Sequence, residues 1–256
     1  MVTKGTFISK SSIVSGKALI HHNAYIGEGC LIKDYAEIGM NAVIEKNTTI
    51  GEHTRVYPYA CLGGDPQDVS YNGEETFLEI GDNCIIREFS TIHRGSVKGG
   101  CKTTIGNNCF IMCNTHIGHD CKIGNGVIIT SYTGISGHVV VEDFANISGF
   151  VAIHQFVRVG KYSMTGGMSR VVKDVPPFMI VEGSPARVRG LNIVGLKRRG
   201  INSDVRKELW KATKIYINKG NLISEFIYIL DSLKSYEEIL YLKEFFKKSK
   251  RGVVRK

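Results

Sequence analysis

An aliphatic residue recurs every six positions through most of the chain: Ile8, Val14, Ile20, Ile26, Ile32, Ile38, Ile44, Ile50, Val56 and Leu62. The register slips, resumes at Ile80, Ile86 and Ile92, slips again, and runs from Ile105 through Ile111, Ile117, Ile123, Ile129, Ile135, Val141, Ile147, Ile153, Val159 and Thr165 to Val171. Of these 25 anchors only Thr165 is not Ile, Leu or Val, although those types fill 64 of 256 positions and composition alone would supply about six. Four residues after most anchors stands a small or β-branched residue, as at Ala18, Ala24, Cys30, Ala36, Ala42, Thr48, Thr54, Ala60, Cys109, Thr115, Cys121 and Ala145. A large and a small inward residue in each hexad describe one flat face of a triangular coil, and three faces close a turn of 18 residues. Stacked at the strand spacing of about 4.8 Å, the hexads predict a parallel β-helix of about eight coils, roughly 40 Å long.

The slips mark insertions, which a solenoid accepts only as loops leaving a corner. The first spans 63–77 and the second 95–104, and both are candidate substrate loops. Beyond about residue 190 the period changes. Asn202-Ser203 precedes a helical stretch through Ile217, Lys219-Gly220 stops it, and Asn221 to Lys234 carries Leu222, Ile223, Phe226, Ile227 and Leu230 at helical spacing. Ser235-Tyr236-Glu237-Glu238 reads as a capping box for a last helix ending near Lys248. The expected organisation is an all-β parallel helix over 1–190 and a small α-helical C-terminal domain over 191–256.

Composition narrows the setting. No apolar run approaches the ~18 residues a spanning helix needs, and Met1-Val2-Thr3-Lys4-Gly5-Thr6-Phe7 lacks a secretory pattern, so a cytoplasmic location is expected. Seven cysteines without a CxxC fit a reducing compartment, as small core residues. The net charge of +9 is weighted toward Lys197-Arg198-Arg199 and Lys247-Lys248-Ser249-Lys250-Arg251. That leaves a solvated basic tail and an acidic partner both open.

Candidate chemistry sits in the histidines. His93, His116, His119, His138 and His154 fall on successive coils, and His119 and His138, one coil plus one residue apart, share a flank. Asp120 follows His119, and a carboxylate that orients an imidazole is the usual support of a general base. Solvent-exposed corner histidines remain the plain alternative. His116 and His119 lack the spacing of the three-histidine zinc sites in hexapeptide trimers related to carbonic anhydrase, so no metal is expected. GxSxG, P-loop, GxGxxG and EF-hand patterns are absent from the sequence, and its basic residues are not interleaved with aromatics as a nucleic-acid surface would require.

The runs Thr91-Ile92-His93-Arg94-Gly95, His116-Ile117-Gly118-His119-Asp120-Cys121, Gly137-His138, His154-Gln155-Phe156, Asp174-Val175-Pro176-Pro177 and Asn192 to Gly200 resemble the UDP-N-acetylglucosamine O-acyltransferases, which open lipid A biosynthesis. The resemblance spans nearly the whole chain. It implies a left-handed coil, a homotrimer with its site between neighbouring prisms, acyl carrier protein as donor, a UDP-aminosugar as acceptor, and no cofactor. It further implies that His119 is the general base with Asp120 beside it, and that the Gly137 N–H stabilises the oxyanion. Asp68, His93, His116, His138, His154 and Gln155 would line the sugar and acyl sites, Asn192, Arg198 and Arg199 would serve the nucleotide, and Met164 and Gly167 would end the acyl channel. Ser70, Val194 and Pro185 depart from the family's common Lys, Glu and His. Another hexapeptide acyltransferase, CoA-dependent or N-acylating, and a non-catalytic or zinc-binding β-helix are the rival readings.

Overall fold

The computed structural model describes residues 2–218 and 223–255. The hexads form short parallel strands that build three sheets, each strand pairing with the one three places on. The first face carries Phe7–Ile8, Tyr25–Ile26, Val43–Ile44, Cys61–Gly64, Thr91–His93, His116–Ile117, Gly134–Ile135, Ala152–Ile153 and Arg170–Val171. The second runs from Ile13–Val14 to Arg158–Val159, and the third from Leu19–Ile20 to Arg187–Leu191. Anchors stack on anchors, as in Ile92 on Ile117 and Ile117 on Ile135, so the aliphatic column of each face is continuous across coils. This is the left-handed parallel β-helix that the repeat and the family resemblance together imply.

The core is what the hexads dictate. Every anchor from Ile20 to Val171 is buried, and the twelve small residues four places on are buried with them. Ile8 and Val14, at the open N-terminal end, are half-buried. Thr165 breaks the aliphatic rule at a cost, since its hydroxyl and that of Ser163 are buried without a hydrogen-bond partner. Cys30, Cys84, Cys109 and Cys121 fill small inward positions, and burial pushes the Cys121 thiol up to about 12.

Corners are turned by residues in the left-handed region, many of them not glycine: Asp120, Tyr132, His138, Phe144, Phe150, Phe156 and Tyr162 have φ between 56° and 61° or, for Phe156, 64°. Each such residue costs about 1–2 kcal/mol. Stacking of corner side chains one coil apart offsets it, with ring centroids 4.9 Å apart for Tyr132 and Phe150 and 5.1 Å for Phe144 and Tyr162.

Among the described residues, four helices follow the strands: α1 Ile193–Arg198, α2 Ser203–Asn218, α3 Ile223–Leu230 and α4 Glu237–Lys248. The short α1 has no sequence periodicity to announce it. The Lys219-Gly220 stop, Asn221 and Leu222 lie outside the described residues. The capping-box reading needs correction: the N-cap of α4 is Tyr236, one residue beyond Ser235, and no side chain caps it. Here α4 gains its support from the prism instead. Its Tyr241 hydroxyl donates to Glu142, Lys161 Nζ lies 3.7 Å from the Tyr241 ring centroid, and Arg158 packs 4.4 Å over Phe245. Beyond α4, Val253 bridges to Asp174, whose carboxylate accepts from Ser249 Oγ at 2.7 Å. No helix among the described residues is long and apolar enough to cross a membrane.

Candidate active site

The corner between the first and second faces carries His119, Asp120 and His138. Ile117 anchors the first face, and the chain turns at His119-Asp120 with Asp120 at φ 61°. That turn swings the imidazole back over its neighbour, and His119 Nδ1 lies 2.7 Å from Asp120 Oδ2. The Asp120 side chain is 1% exposed and His119 only 14%. Ser96 grips the same carboxylate, its N–H donating to Oδ1 at 2.7 Å and its hydroxyl to Oδ2 at 2.6 Å. Thr103 Oγ1 accepts from the Asp120 N–H at 2.8 Å.

The other imidazole nitrogen points at the next coil. A Cβ placed on Gly137 would stand 2.7 Å from His119 Nε2, so only glycine leaves room for that approach. Among the described residues, the Gly137 N–H donates no hydrogen bond. His138 follows at φ 60°, and its ring meets that of His119 edge-on at 5.0 Å. Its Nε2 is 3.7 Å from Asp120 Oδ2 and its far face stacks on Phe156 at 4.5 Å. Burial holds His138 below its ordinary pKa, against the pull of Asp120.

The first loop arrives at this corner from above. Buried Arg94 reaches back to Gly63 O, Asp65 Oδ1, Thr76 Oγ1 at 3.3 Å and the Tyr71 hydroxyl at 3.3 Å, fastening both ends of the loop. His93 Nδ1 lies 2.6 Å from Asp65 O, and His116 Nδ1 lies 2.9 Å from Thr91 Oγ1. The two rings are 5.3 Å apart, and burial depresses the pKa of both. Asp68 Oδ1 accepts from the Ser70 N–H and hydroxyl, each at 2.9 Å, and these bonds hold its carboxyl below the usual range. Lys98, from the second loop, donates to Ser70 Oγ at 2.7 Å and stands 3.9 Å from Asp68 Oδ2. A cation therefore overhangs the first loop, where the family commonly has Lys at position 70.

The remaining candidates divide. His154 and Gln155 are exposed on the same corner, one coil beyond His138. Met164, Asn192, Arg198 and Arg199 line a separate cavity of about 620 Å³ between α1 and the outer third face. Arg199 lies 4.6 Å over Phe144 there. Asn192 is occupied: its Oδ1 accepts the Gly195 N–H at 3.1 Å as the N-cap of α1, and its Nδ2 donates to Tyr162 O at 2.9 Å. It holds the helix that carries the two arginines. Gly167 is exposed at the corner between the third and first faces. In a triangular prism the corner bearing His119 and the third face point in opposite directions, so one chain does not bring these groups together.

Among the described residues, His119, Asp120 and His138 are the group whose donor atoms lie close enough to share one ion, within 4.8 Å of each other. Both Asp120 oxygens already accept hydrogen bonds, and His119 is one of the donors. The cluster is built as a hydrogen-bonded pair with an aromatic flank. Sequence reasoning missed Ser96, Thr103, Lys98 and Phe156; for the first three the only signal was membership of an insertion, or its edge, close to the histidine coils.

Comparison with known proteins supports the fold and gives the family. Residues 174–254 match the family model described as UDP N-acetylglucosamine O-acyltransferase, domain 2, and residues 102–137 match bacterial transferase hexapeptide (six repeats). The chain is 37% identical to the UDP-N-acetylglucosamine O-acyltransferase of Moraxella catarrhalis RH4, over 99% of each chain with a TM-score of 0.96. It is 35% identical to the UDP-N-acetylglucosamine acyltransferase of Bacteroides fragilis 9343, over 100% of each with a TM-score of 0.97. The corresponding enzyme of Campylobacter jejuni is 37% identical over 97% of this chain and 99% of its own, with a TM-score of 0.79. A repeat, two loops and a helical tail that all align over their full length place this chain in the UDP-N-acetylglucosamine O-acyltransferase family.

Proposed function

We propose that this protein moves a fatty acyl group from acyl carrier protein to the 3-position of UDP-N-acetylglucosamine or its 3-amino analogue, the opening step of lipid A synthesis. The observation that carries this reading is the His119-Asp120 pair with Nε2 set against Gly137. With Nδ1–H donated to Asp120, Nε2 offers a lone pair to the sugar hydroxyl. As that oxygen attacks the thioester carbonyl, His119 takes its proton, and the unpaired Gly137 N–H faces the oxyanion that forms. Collapse expels the carrier's thiol, which leaves with the proton His119 holds. No covalent enzyme intermediate is needed.

Asp68, His93, His116, His138, His154 and Gln155 are assigned to the sugar and acyl sites, and Arg198 and Arg199 to the diphosphate, for which guanidinium is the apt donor. Asn192 serves the nucleotide by fixing α1. Because the base and the arginines sit on opposed sides of one prism, a ligand touching both requires a neighbouring copy, and a closed ring of three prisms supplies it. The free cysteines fit a cytoplasmic enzyme.

The test is product mass after incubation with a mixed acyl-carrier pool and each acceptor. A 3-O- or 3-N-acylated UDP-sugar is expected, while acetyl transfer from CoA or no transfer would reject the reading. His119→Ala should lower turnover about 10²- to 10⁴-fold with folding intact. A monomer by light scattering would remove the shared site.

A further inference from the structure

We infer that Ser96 is a positioning residue for the acid–base pair, and that the second loop acts through it as a clamp on Asp120; this rests on His119 being the base. A carboxylate held by one bond rotates about its Cβ–Cγ bond. Asp120 is held by two from one residue, because the Ser96 N–H meets Oδ1 at 2.7 Å and the Ser96 hydroxyl meets Oδ2 at 2.6 Å. That pair fixes the plane of the carboxylate and aims Oδ2 at His119 Nδ1. Ser96 is 4% exposed, and Asp120 likewise, so water does not substitute for either donor.

The loop is shaped for this. Ser96 precedes a single 3₁₀ turn, Val97–Gly99, closed by Cys101 N–H donating to Ser96 O at 2.8 Å. Gly99 lies directly on the carboxylate, where any Cβ would overlap the Asp120 side chain. Among the described residues, neither Ser96 nor Gly99 hydrogen-bonds His119.

The consequence is a choice of tautomer. A base needs Nε2 unprotonated, and an imidazole with two neutral tautomers adopts that one when a fixed acceptor holds Nδ1–H. Among the described residues His119 Nε2 has no hydrogen-bond partner, and Gly137 beside it has no side chain to offer one. Groups facing the pair from other elements are His138 from the next coil, His93 and His116 from the first face, Asp68 from the first loop and Lys98 from the second. None but His138 comes near the carboxylate oxygens, at 3.7 Å.

The experiment uses the full chain selectively labelled with nitrogen-enriched histidine, reading the His119 tautomer by NMR and turnover in the same samples. Ser96→Ala should mix in the Nε2–H tautomer and lower kcat about ten- to a hundredfold, the usual loss when the support of a reacting group is removed, with KM for the UDP-sugar unchanged. Ser96→Thr, which keeps the hydroxyl, should retain both signature and rate. Gly99→Ala crowds the same carboxylate and should reproduce the loss, so the inference survives a misfolded Ser96→Ala protein. An unchanged tautomer in both Ser96→Ala and Gly99→Ala overturns the role of Ser96. A changed tautomer with normal kcat would instead overturn His119 as the base.

Discussion

His119 Nε2 occupies the space that a side chain at position 137 would need, with 2.7 Å separating it from the place of a Gly137 Cβ. The proposed base and the proposed oxyanion donor are thus made adjacent by the absence of an atom. Gly137→Ala should fold, because Gly137 is not among the residues with positive φ, yet lose about a hundredfold in kcat as the methyl displaces the imidazole. Steady-state kinetics with circular dichroism as the folding control checks this, and near-normal turnover would separate Gly137 from the reaction.

Lys98 gives a second prediction. Its ammonium meets Ser70 Oγ at 2.7 Å, beside Asp68, and is mostly exposed, so a bound anion can recruit it. Lys98→Ala should raise KM for the UDP-sugar about fivefold, an exposed charge being worth ~1 kcal/mol, with kcat little changed. Adding Ser70→Lys in that background should restore KM, since a lysine there returns the charge to the part of the first loop that Lys98 overhangs. Failure of the double variant to recover would show that Lys98 acts only on its own loop.

The buried imidazoles predict how stability responds to acid. His93 and His116 are held below their ordinary pKa, chiefly by burial, while in the unfolded chain they take up protons near pH ~6.5. Between those values the unfolded state binds more protons, so their contribution is whole above about pH 6.5 and is lost as pH falls toward the folded values. Tm should drop over that window, and His93→Gln/His116→Gln should flatten the drop. Parallel Tm curves for parent and variant would show that the two rings carry none of it.

Much of this architecture is written in the hexads because each coil repeats the same burial, so a column such as Ile92, Ile117 and Ile135 is visible before any contact is known. His119 and Asp120 were legible because they are adjacent in the chain. Ser96 was not, since its bonds to Asp120 cross 24 residues and depend on the path of an insertion that has no period. Arg94 was quoted as part of a motif, but its task of fastening the first loop needs the positions of Gly63, Asp65, Tyr71 and Thr76 together. Asn192 shows the converse: the resemblance singles it out, whereas its task of capping α1 needs the positions of Gly195 and Tyr162.

Donor length gives the fourth prediction. Gly167 faces open space, its missing Cβ meeting only Gly149 O at 3.4 Å, so a larger side chain fits there without disturbing the coil. If the acyl chain ends at this corner, the parent should favour donors of about twelve to fourteen carbons over ten, each buried methylene contributing about 0.8 kcal/mol. Gly167→Met should reverse the order. Ten- and fourteen-carbon donors competing in one tube decide it: equal use by the parent, or an unchanged ratio in the variant, places the ruler elsewhere.

The third sheet ends differently from how it is built. Its strands run parallel until Met179–Glu182, against which Arg187–Leu191 turns back antiparallel, with α2 packed beside it. A parallel stack that simply stopped would offer a bare rung of amide and carbonyl groups on which a second molecule can continue the ladder. Reversal removes the matching register, and the helices cover what remains. The same repeat that lets coils add without limit is thereby prevented from growing into a fibre at this end.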